Sequence, residues 1–571
     1  MIGIGVVPGM AMARTYLLNE DTFVVEKRVV DYPEKEYERF LSAKEICADQ
    51  LKEIMEAMPA GLGSDNRDIF DYQLLMLDDA NLLDLIRNII EEEHFNSEYA
   101  VNIAARKYIE LFENMDNDYL KERAIDLVDI AGRLSYILLG KEQKTLSNIS
   151  EDSIVVAADL TPSQTVGLDR NRVKGILLER GGISSHSVIL ARSMGIPCIV
   201  GITGILGQLT DGEIIIINGD TGEITTNPTT EQVALYESYE AKARIEKQQL
   251  DQYKKCRGIT IDGIEMKIYA NITSENDVAA LTENGGEGVG LFRTEFLYMT
   301  GENPPSEELQ YKVYSNTAKK LEGRPLIIRT LDAGGDKNIP SLGIQKEDNP
   351  FLGYRAIRYC LDHPELFKMQ ISAILRAGLN GNVALMLPMI TTIDEVRKAK
   401  AMIEEVKEEL TVKKIAFDDD IRLGMMVETP AAAFMADRFA KEVDFFSIGT
   451  NDLTQYLFAA DRMNQKVAGL NSYYHPALLS TIKYVSECAN RNGIEVDICG
   501  QAGEIPTLVP IWVAMGIDNL SVSIPSIPKV RKIICNIRKA DAKEIMEKAL
   551  LLDTAKEVEV FLKQHFNNEG E

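Results

Sequence analysis

Apolar residues recur at two different spacings along the chain, and the spacing divides it into regions. From about residue 32 to residue 140 they recur at steps of three and four, as in Leu74, Leu75, Leu82 and Leu85, and Pro and Gly are scarce. This spacing is typical of amphipathic helices. It predicts long helices over residues 34–57, 67–92 and 119–139, which would pack together as a bundle.

Residues 153–228 have a different pattern, in which short β-rich runs alternate with turn signals such as Asn218-Gly219 and Thr221-Gly222. This alternation predicts a small α/β domain. The opening run at residues 2–7 can supply a further strand to it, which would make the helical bundle an insertion. Residues 229–257 are charged and contain no Gly, so we predict a connecting helix there.

From residue 258 onward, eight short apolar runs alternate with segments of helix length. The runs are 267–272, 288–292, 326–329, 383–389, 423–428, 444–448, 495–499 and 519–523. Eight strands that alternate with helices predict a closed (β/α)₈ barrel. The predicted fold class is therefore a multidomain α/β protein, in which a helical bundle is inserted in a small α/β domain and a barrel follows.

Polar residues stand at the carboxyl ends of six of these runs. They are Asn271, Arg293, Arg329, Glu428, the pair Asn451-Asp452, and Cys499. Barrel active sites are built at that face. Arginine pairs with phosphate or carboxylate, and two carboxylates on neighbouring strand ends can hold Mg²⁺. The pattern favours a site for an anion and a metal, with Arg355 and Arg462 as further candidate anion ligands.

The sharpest motif is Gly181-Gly182-Ile183-Ser184-Ser185-His186, which follows a strand and leads into a predicted helix. A histidine at a helix start lies where free N–H groups favour a negative group such as phosphate. From the residues alone, a surface histidine on a Gly-Gly turn is an equally open interpretation. For Cys499, a proton donor beside a metal competes with a buried structural cysteine.

Composition excludes several classes of protein. The net charge of -26 opposes binding to nucleic acid, although it suits a basic protein partner as well as simple solubility. Seven cysteines without CxxC spacing argue against zinc and fit a reducing cytoplasm. We predict no signal peptide, no membrane insertion and no P-loop nucleotide site.

Together these motifs resemble those of the phosphoenolpyruvate-utilising enzyme family. The segments that carry the resemblance follow the family's order: Val7-Pro8-Gly9, Asp118-Tyr119-Leu120-Lys121-Glu122-Arg123, the His186 segment, Gly288-Val289-Gly290-Leu291-Phe292-Arg293-Thr294-Glu295, Ile328-Arg329-Thr330-Leu331-Asp332, Asn349-Pro350-Phe351-Leu352-Gly353-Tyr354-Arg355 and Ser447-Ile448-Gly449-Thr450-Asn451-Asp452. The resemblance implies an enzyme that moves the phosphoryl group of phosphoenolpyruvate onto its own histidine and then to another protein, releasing pyruvate.

The resemblance also implies a role for each candidate residue. His186 carries the phosphoryl group, and Cys499 gives the proton that converts the enolate to pyruvate. Glu428 and Asp452 are the Mg²⁺ ligands. The substrate contacts are Arg293, Arg329, Arg355, Asn451, Asp452 and Arg462.

Partners and domain limits follow from the same resemblance. In the family, the helical bundle binds HPr, a small histidine-containing carrier of the sugar phosphotransferase system, and two barrels form a homodimer. We therefore expect a phosphohistidine domain at residues 1–20 with 144–228, a carrier-binding subdomain at 21–143, a connecting helix at 229–257, and a substrate-binding and dimerisation barrel at 258–571.

Two other interpretations compete with this one, and one of them stays open. A phosphoenolpyruvate synthase or pyruvate phosphate dikinase shares the histidine and barrel modules, but the roughly 150 residues ahead of the histidine module are too few for its nucleotide-binding domain. A paralogue that feeds a different carrier in a regulatory phosphorelay is the alternative. Two departures from the family's pattern bear on it: the shortened segment Gln501-Ala502-Gly503-Glu504, and Gln73 where histidine is usual.

Overall fold

The computed structural model describes residues 1–18, 25–57, 64–113, 118–141, 146, 149–160, 164, 168–169, 171–180, 186–299, 303–334, 339–345, 347–464 and 466–566. The chain divides into two compact units, Met1–Arg244 and Ile245–Glu571. The division falls inside the helix Thr230–Asp251, which a short 3₁₀ helix, Gln252–Lys255, follows. The exact first and last residues predicted for each domain stay predictions.

A seven-stranded sheet forms the α/β part of the first unit. Its strands are β1 (Ile4–Val7), β2 (Met10–Leu18), β3 (Ser153–Ala157), β4 (Val173–Leu178), β5 (Cys198–Val200), β6 (Ile214–Asn218) and β7 (Glu223–Thr226). Their order in the sheet is β1-β5-β4-β3-β2-β6-β7. Strands β2 and β3 pair side by side in parallel, so the long helical segment between them is an insertion, as predicted.

The inserted segment consists of helices that pack around one apolar core. Their bounds are Pro33–Ala57, Ser64–Leu77, Ala80–Glu91, Ser97–Glu113 and Asp118–Leu139. The single helix predicted over residues 67–92 is wrong. Asp79 has an extended backbone and its carboxylate accepts the N–H of Leu82 at 2.8 Å, so it starts a second helix as an N-cap.

Gln73, which stands where the family usually has histidine, is buried in this bundle. Its Nε2 donates to Asp129 Oδ2 at 3.1 Å, across to the helix Asp118–Leu139. An uncharged amide in this position therefore joins the helices Ser64–Leu77 and Asp118–Leu139 by a hydrogen bond.

A closed barrel of eight parallel strands forms the second unit, which confirms the predicted fold class. The strands are β8 (Lys267–Ile272), β9 (Val289–Arg293), β10 (Leu326–Arg329), β11 (Val383–Leu387), β12 (Arg422–Val427), β13 (Phe445–Gly449), β14 (Glu495–Cys499) and β15 (Asn519–Val522). Each pairs in parallel with the next, and β15 pairs with β8 to close the barrel.

Helices follow the strands around the barrel and cover its outer face. The principal ones are Asp277–Glu283, Glu307–Lys320, Pro364–Gly378, Ile393–Lys413, Thr450–Phe458, Pro476–Asn492, Val509–Met515, Ile527–Cys535, Lys539–Ala549 and Ala555–Phe566. Shorter helices are Glu295–Met299, Ile357–Asp362, Pro430–Phe434 and Ala436–Phe439. One large apolar core fills the space between strands and helices. Among the described residues, no helix is long and apolar enough to cross a membrane.

The barrel interior holds a buried carboxyl group, Asp497, two residues before Cys499 on β14. Asn519 Nδ2 on the adjacent strand β15 donates to its Oδ1 at 2.6 Å. Burial raises the pKa of Asp497 to about 8, and the charges of Glu495 and Asp518 act in the same direction. The group is therefore mostly protonated in the folded protein at neutral pH.

Asp497→Asn should stabilise the barrel at alkaline pH. The folded pKa lies above the unfolded value of about 3.9, so the native protein keeps a proton that the unfolded chain has lost. The free energy of unfolding should fall by up to about 1.4 kcal/mol per pH unit as pH rises between these values, and level off above about 8. The amide keeps the acceptor for Asn519 and removes this slope. Denaturant unfolding at pH 6 and pH 9 measures the effect, and an unchanged difference between variant and wild type would contradict it.

Candidate active site

The carboxyl ends of the barrel strands bring most of the predicted site residues to one edge. Arg293 and Arg329 are direct neighbours in the register of β9 and β10. Cys499 is likewise the register neighbour of Gly449, where β13 ends. Glu428 follows β12 directly, and Asp452 lies in the first turn of the helix that follows β13. Parallel strands all end at the same face, so this convergence follows from the barrel itself.

A chain of alternating charges connects the groups at this edge. Arg329 pairs with Glu295 and, at 3.1 Å, with Asp332. Asp332 Oδ1 accepts from Arg355 Nη2 at 2.8 Å, and Arg355 Nη1 lies 3.5 Å from Asp452 Oδ1. The network holds both guanidinium groups in fixed positions, where they can bind an anion without reorganising.

Arg329 and Arg355 are 4% and 1% exposed, so both are charges held out of water. Burial alone would lower the pKa of each guanidinium, but the neighbouring carboxylates outweigh it and raise both pKa values above their ordinary range. Both arginines are therefore fully charged. Arg329 Nε is buried, and its N–H finds no hydrogen-bond acceptor among the described residues.

Arg462 and Asn451 lie at the rim of the same edge. Arg462 Nη1 donates to Asp452 Oδ1 at 3.2 Å, and its guanidinium lies over the ring of Phe351 at 5.3 Å. The side-chain oxygen of Asn451 accepts from Tyr473 and from the N–H of Gln501. Both side chains are held by these contacts at the mouth of the barrel.

Asn271 has a different setting at the end of β8. Its side-chain oxygen accepts from Ser521 Oγ at 2.7 Å, and its Nδ2 donates to the Ser521 carbonyl at 3.3 Å. These contacts tie Asn271 to the neighbouring strand β15 inside the barrel.

The Glu428 carboxylate has one satisfied and one open oxygen. Its Oε1 accepts the Met389 N–H at 2.6 Å, whereas its Oε2 is buried and receives no hydrogen bond from the described residues. A Cβ on Gly449 would lie 2.5 Å from that Oε2, so only glycine leaves room there. Burial raises the pKa of Glu428 to about 7, and the charge of Asp452 adds to the rise.

These features suit a divalent cation. A positive ion would satisfy the open oxygen of Glu428 and relieve its repulsion by Asp452. No group of three or more His, Cys, Asp or Glu side chains that could hold a metal occurs in the part of the chain that the structure describes. A cation held by these two carboxylates would complete its coordination with water or substrate oxygens, as Mg²⁺ commonly does.

Cys499 ends β14 with its side chain inside the barrel, where it packs with Leu291, Met386, Met426 and Phe445. Ser447 Oγ donates to its Sγ at 2.9 Å. Burial raises the pKa of the thiol to about 12, although the Ser447 hydrogen bond opposes the rise. Cys499 is therefore a protonated thiol at neutral pH, at the same edge as the arginines and the two carboxylates.

Two acidic residues of this site, Glu295 and Asp332, were not predicted from the sequence. Both stand within quoted motifs, two residues after Arg293 and three residues after Arg329. The signal in the sequence is an acid two or three residues beyond an arginine that ends a strand, because a buried arginine needs a partner. The structure shows that both acids hold Arg329 in place.

His186 belongs to the first unit and begins the helix His186–Met194, as the sequence predicts. The preceding segment 181–185 lies outside the described residues. The helix is anchored by Ser187, whose Oγ donates to Asp159 Oδ1 and to the Leu160 carbonyl, both at 3.1 Å. Val188 and Ala191 are buried in the core beneath the sheet.

Three family models match successive parts of the chain. They are described as the N-terminal region of PEP-utilising enzymes (residues 2–123), their mobile domain (149–222) and their PEP-binding domain (247–539). The chain belongs to the PEP-utilising enzyme family. The resemblance noted from the sequence motifs is thereby confirmed, and the barrel edge described above lies within the matched PEP-binding domain.

Full-length relatives agree with this family assignment. The chain is 44% identical over 565 residues to the phosphoenolpyruvate-protein phosphotransferase of Bacillus sp. (strain S) and to that of Geobacillus stearothermophilus. Both alignments cover 99% of this chain and 98% of the relative. The enzyme of the same name from Bacillus subtilis (strain 168) is 43% identical over 564 residues, with 99% of each chain covered.

Proposed function

We propose that this chain is a phosphoenolpyruvate–protein phosphotransferase, which takes the phosphoryl group of phosphoenolpyruvate onto His186 and passes it to a histidine of a small carrier protein. The observation that carries the proposal is the barrel edge, where fixed arginines, two carboxylates and a protonated thiol meet. The relatives of the same name, at 44% identity over nearly the whole chain, support it.

The substrate fits the charges of this edge. Phosphoenolpyruvate carries a phosphate and a carboxylate, and the site offers Arg293, Arg329, Arg355 and Arg462 as partners. Arginine binds such groups through two parallel hydrogen bonds. Glu295 and Asp332 keep Arg329 oriented for this substrate.

Glu428 and Asp452 would hold Mg²⁺. When bound, the ion would neutralise charge on the phosphoryl and enolate oxygens, which is the main requirement for phosphoryl transfer. The open oxygen of Glu428 and the raised pKa of its carboxyl group suit a ligand of a divalent cation. Asp452 is shared with Arg355 and Arg462, so the cation ligand is tied to the anion ligands.

The reaction proceeds in three steps under this proposal. An imidazole nitrogen of His186 attacks phosphorus, the P–O bond to the enol oxygen breaks, and its electron pair stays on that oxygen. The enolate then takes a proton at C3 from the Cys499 thiol and becomes pyruvate. Phosphohistidine finally transfers its phosphoryl group to the carrier.

The proposed partners and location follow the family's organisation. We propose that HPr is the carrier and docks on the inserted helical bundle. We also propose that the barrel forms a homodimer and that the protein works in the cytoplasm. The paralogue that feeds another carrier differs only in this partner, so phosphate transfer from the labelled protein to purified HPr distinguishes the two.

Labelled phosphoenolpyruvate tests the proposal directly. The full chain with Mg²⁺ should incorporate about one phosphoryl group per chain without any nucleotide, and chelation of the metal should prevent it. A fragment of residues 1–255 lacks the barrel, so it should accept label only from a phosphorylated carrier. Labelling that requires ATP, or labelling of the fragment by phosphoenolpyruvate, would contradict the proposal.

A further inference from the structure

The side chain of Ser447 makes one hydrogen bond to the described residues, and its partner is Cys499. The serine lies in the middle of β13 and is fully buried. Its Oγ donates to Cys499 Sγ at 2.9 Å. In the strand register its neighbours are Met426 on β12 and Asp497 on β14. A buried hydroxyl normally finds an oxygen acceptor, so one that donates to sulfur inside a barrel calls for a functional reason.

The hydrogen bond has a direction that matters for the chemistry. Because the serine hydroxyl donates, Ser447 does not take up the thiol hydrogen of Cys499, whose acceptor in the structure is the Ile448 carbonyl, 3.7 Å from the sulfur. Rotation about the Cβ–Sγ bond would turn this hydrogen away from that carbonyl and toward a substrate. When the thiol gives up this proton, the sulfur becomes a buried anion. Hydrogen bonds to charged groups are stronger than those between neutral groups. The contact therefore strengthens as negative charge develops on sulfur.

We propose that Ser447 is a positioning residue for proton delivery, which orients the Cys499 thiol and stabilises the thiolate that remains after protonation of the enolate. The inference rests on the proposed function, since it assigns a role in the step that Cys499 performs. In that step the S–H bond breaks and its electron pair stays on sulfur. The enolate's C2–C3 double-bond pair forms the new C–H bond, and solvent later returns a proton to sulfur.

Few of the groups around Cys499 stabilise a negative charge on its sulfur, so the hydrogen bond from Ser447 matters for the thiolate. Burial and the charge of Glu428 both disfavour a thiolate, whereas the charge of Arg329 favours it. Arg329 is already paired with Glu295 and Asp332, so part of its charge is neutralised. The remaining lining of the interior near the sulfur is apolar, with Leu291, Ile327 and Phe445 among it. Ser447 is a neutral donor that already lies within hydrogen-bond distance of this sulfur.

Exchange of the pyruvate methyl protons isolates this step. With pyruvate and Mg²⁺ in deuterated water, the wild type should exchange methyl hydrogen for deuterium, and proton NMR measures the rate. Ser447→Ala should slow this exchange about 10- to 100-fold. This is the rate factor that corresponds to the free energy of one hydrogen bond to a charged group. The pyruvate concentration for half-maximal exchange should stay unchanged, because the serine touches the acid and not the substrate.

A double-mutant cycle separates positioning from packing. In a Cys499→Ala background, Ser447→Ala should cause no further loss of turnover, because the partner that it serves is absent. Ser447→Cys keeps a weak donor and should give an intermediate exchange rate. Ser486→Ala is the matched control, since Ser486 is equally buried but donates to the Met515 carbonyl from an outer helix.

Each outcome decides the inference. Wild-type exchange in Ser447→Ala, or an equal further loss in the Cys499→Ala background, would overturn it. If Ser447→Ala does not fold, Ser447→Cys carries the test, and exchange at the wild-type rate in that variant would also overturn it. A wild-type protein that is neither labelled by phosphoenolpyruvate nor active in exchange would instead contradict the proposed function.

Discussion

His186→Ala should abolish incorporation of label from phosphoenolpyruvate, the largest effect that we expect from any single substitution. In the proposed mechanism the phosphohistidine is a covalent intermediate, so nothing in the site can replace a missing nucleophile. The residue begins a nine-residue helix, and the free N–H groups at a helix start favour a negative group nearby. The substitution leaves Ser187 and Val188 to anchor the helix, so the variant should unfold at the wild-type temperature.

The matched control is another histidine of the same unit. His94 has a left-handed backbone with φ 60°, and asparagine tolerates that conformation. His94→Asn should therefore keep its fold and full labelling. His186→Ala should also keep the exchange of pyruvate methyl protons, because the groups proposed for that step all lie in the barrel. Labelling of His186→Ala at wild-type stoichiometry would refute the assignment of the nucleophile.

The barrel was predictable because each of its strands is buried on both faces and reads as a short apolar run. The starts and ends of β8, β10 and β14 agree with the sequence pattern to the residue. The strand β2 was missed. The buried side chains that alternate along it are mostly small or polar: Ala11, Ala13, Thr15 and Leu17. Its buried and exposed positions therefore differ little in hydrophobicity, and the alternation is hard to recognise in the sequence.

In the helical region the error is of the opposite kind: the apolar pattern continues across a point where one helix ends and another begins. Apolar spacing runs on from Leu77 to Leu82 without interruption, and this predicts one helix. The break depends on the side chain of Asp79, which caps the second helix. Such a cap is a hydrogen bond from the backbone to the side chain of one aspartate. The spacing of apolar residues contains no information about it.

From the strand pattern, only those site residues could be predicted that stand at the ends of strands. A residue that ends a parallel strand must lie at the common face, and this places Arg329, Glu428 and Cys499 there without knowledge of any loop. Arg355 and its contacts could not be derived in this way. It stands 26 residues after Arg329, and its pairs with Asp332 and Asp452 depend on the path of the loop between them.

Cys499→Ala should reduce pyruvate formation by about 10² to 10⁴, the usual contribution of general acid catalysis. The thiol is protonated at neutral pH because burial raises its pKa to about 12. Its position at the barrel edge, with Arg329 and Glu428 as charged neighbours, suits a group that delivers one proton to a substrate carbon. Phosphohistidine should still form in the variant, but slowly, since the enolate can return the phosphoryl group before water protonates it.

The stereochemistry of the product distinguishes this role from a structural one. With phosphoenolpyruvate labelled stereospecifically with deuterium at C3, and tritiated water as solvent, the wild type should give a chiral methyl group of one configuration. Cys499→Ala should give both configurations, because solvent would protonate either face. Cys488→Ala is the matched control, as Cys488 is equally buried but lies in the helix Pro476–Asn492. If Cys499 were only a packing residue, both variants would lose some stability, and both would make a single configuration at nearly the wild-type rate.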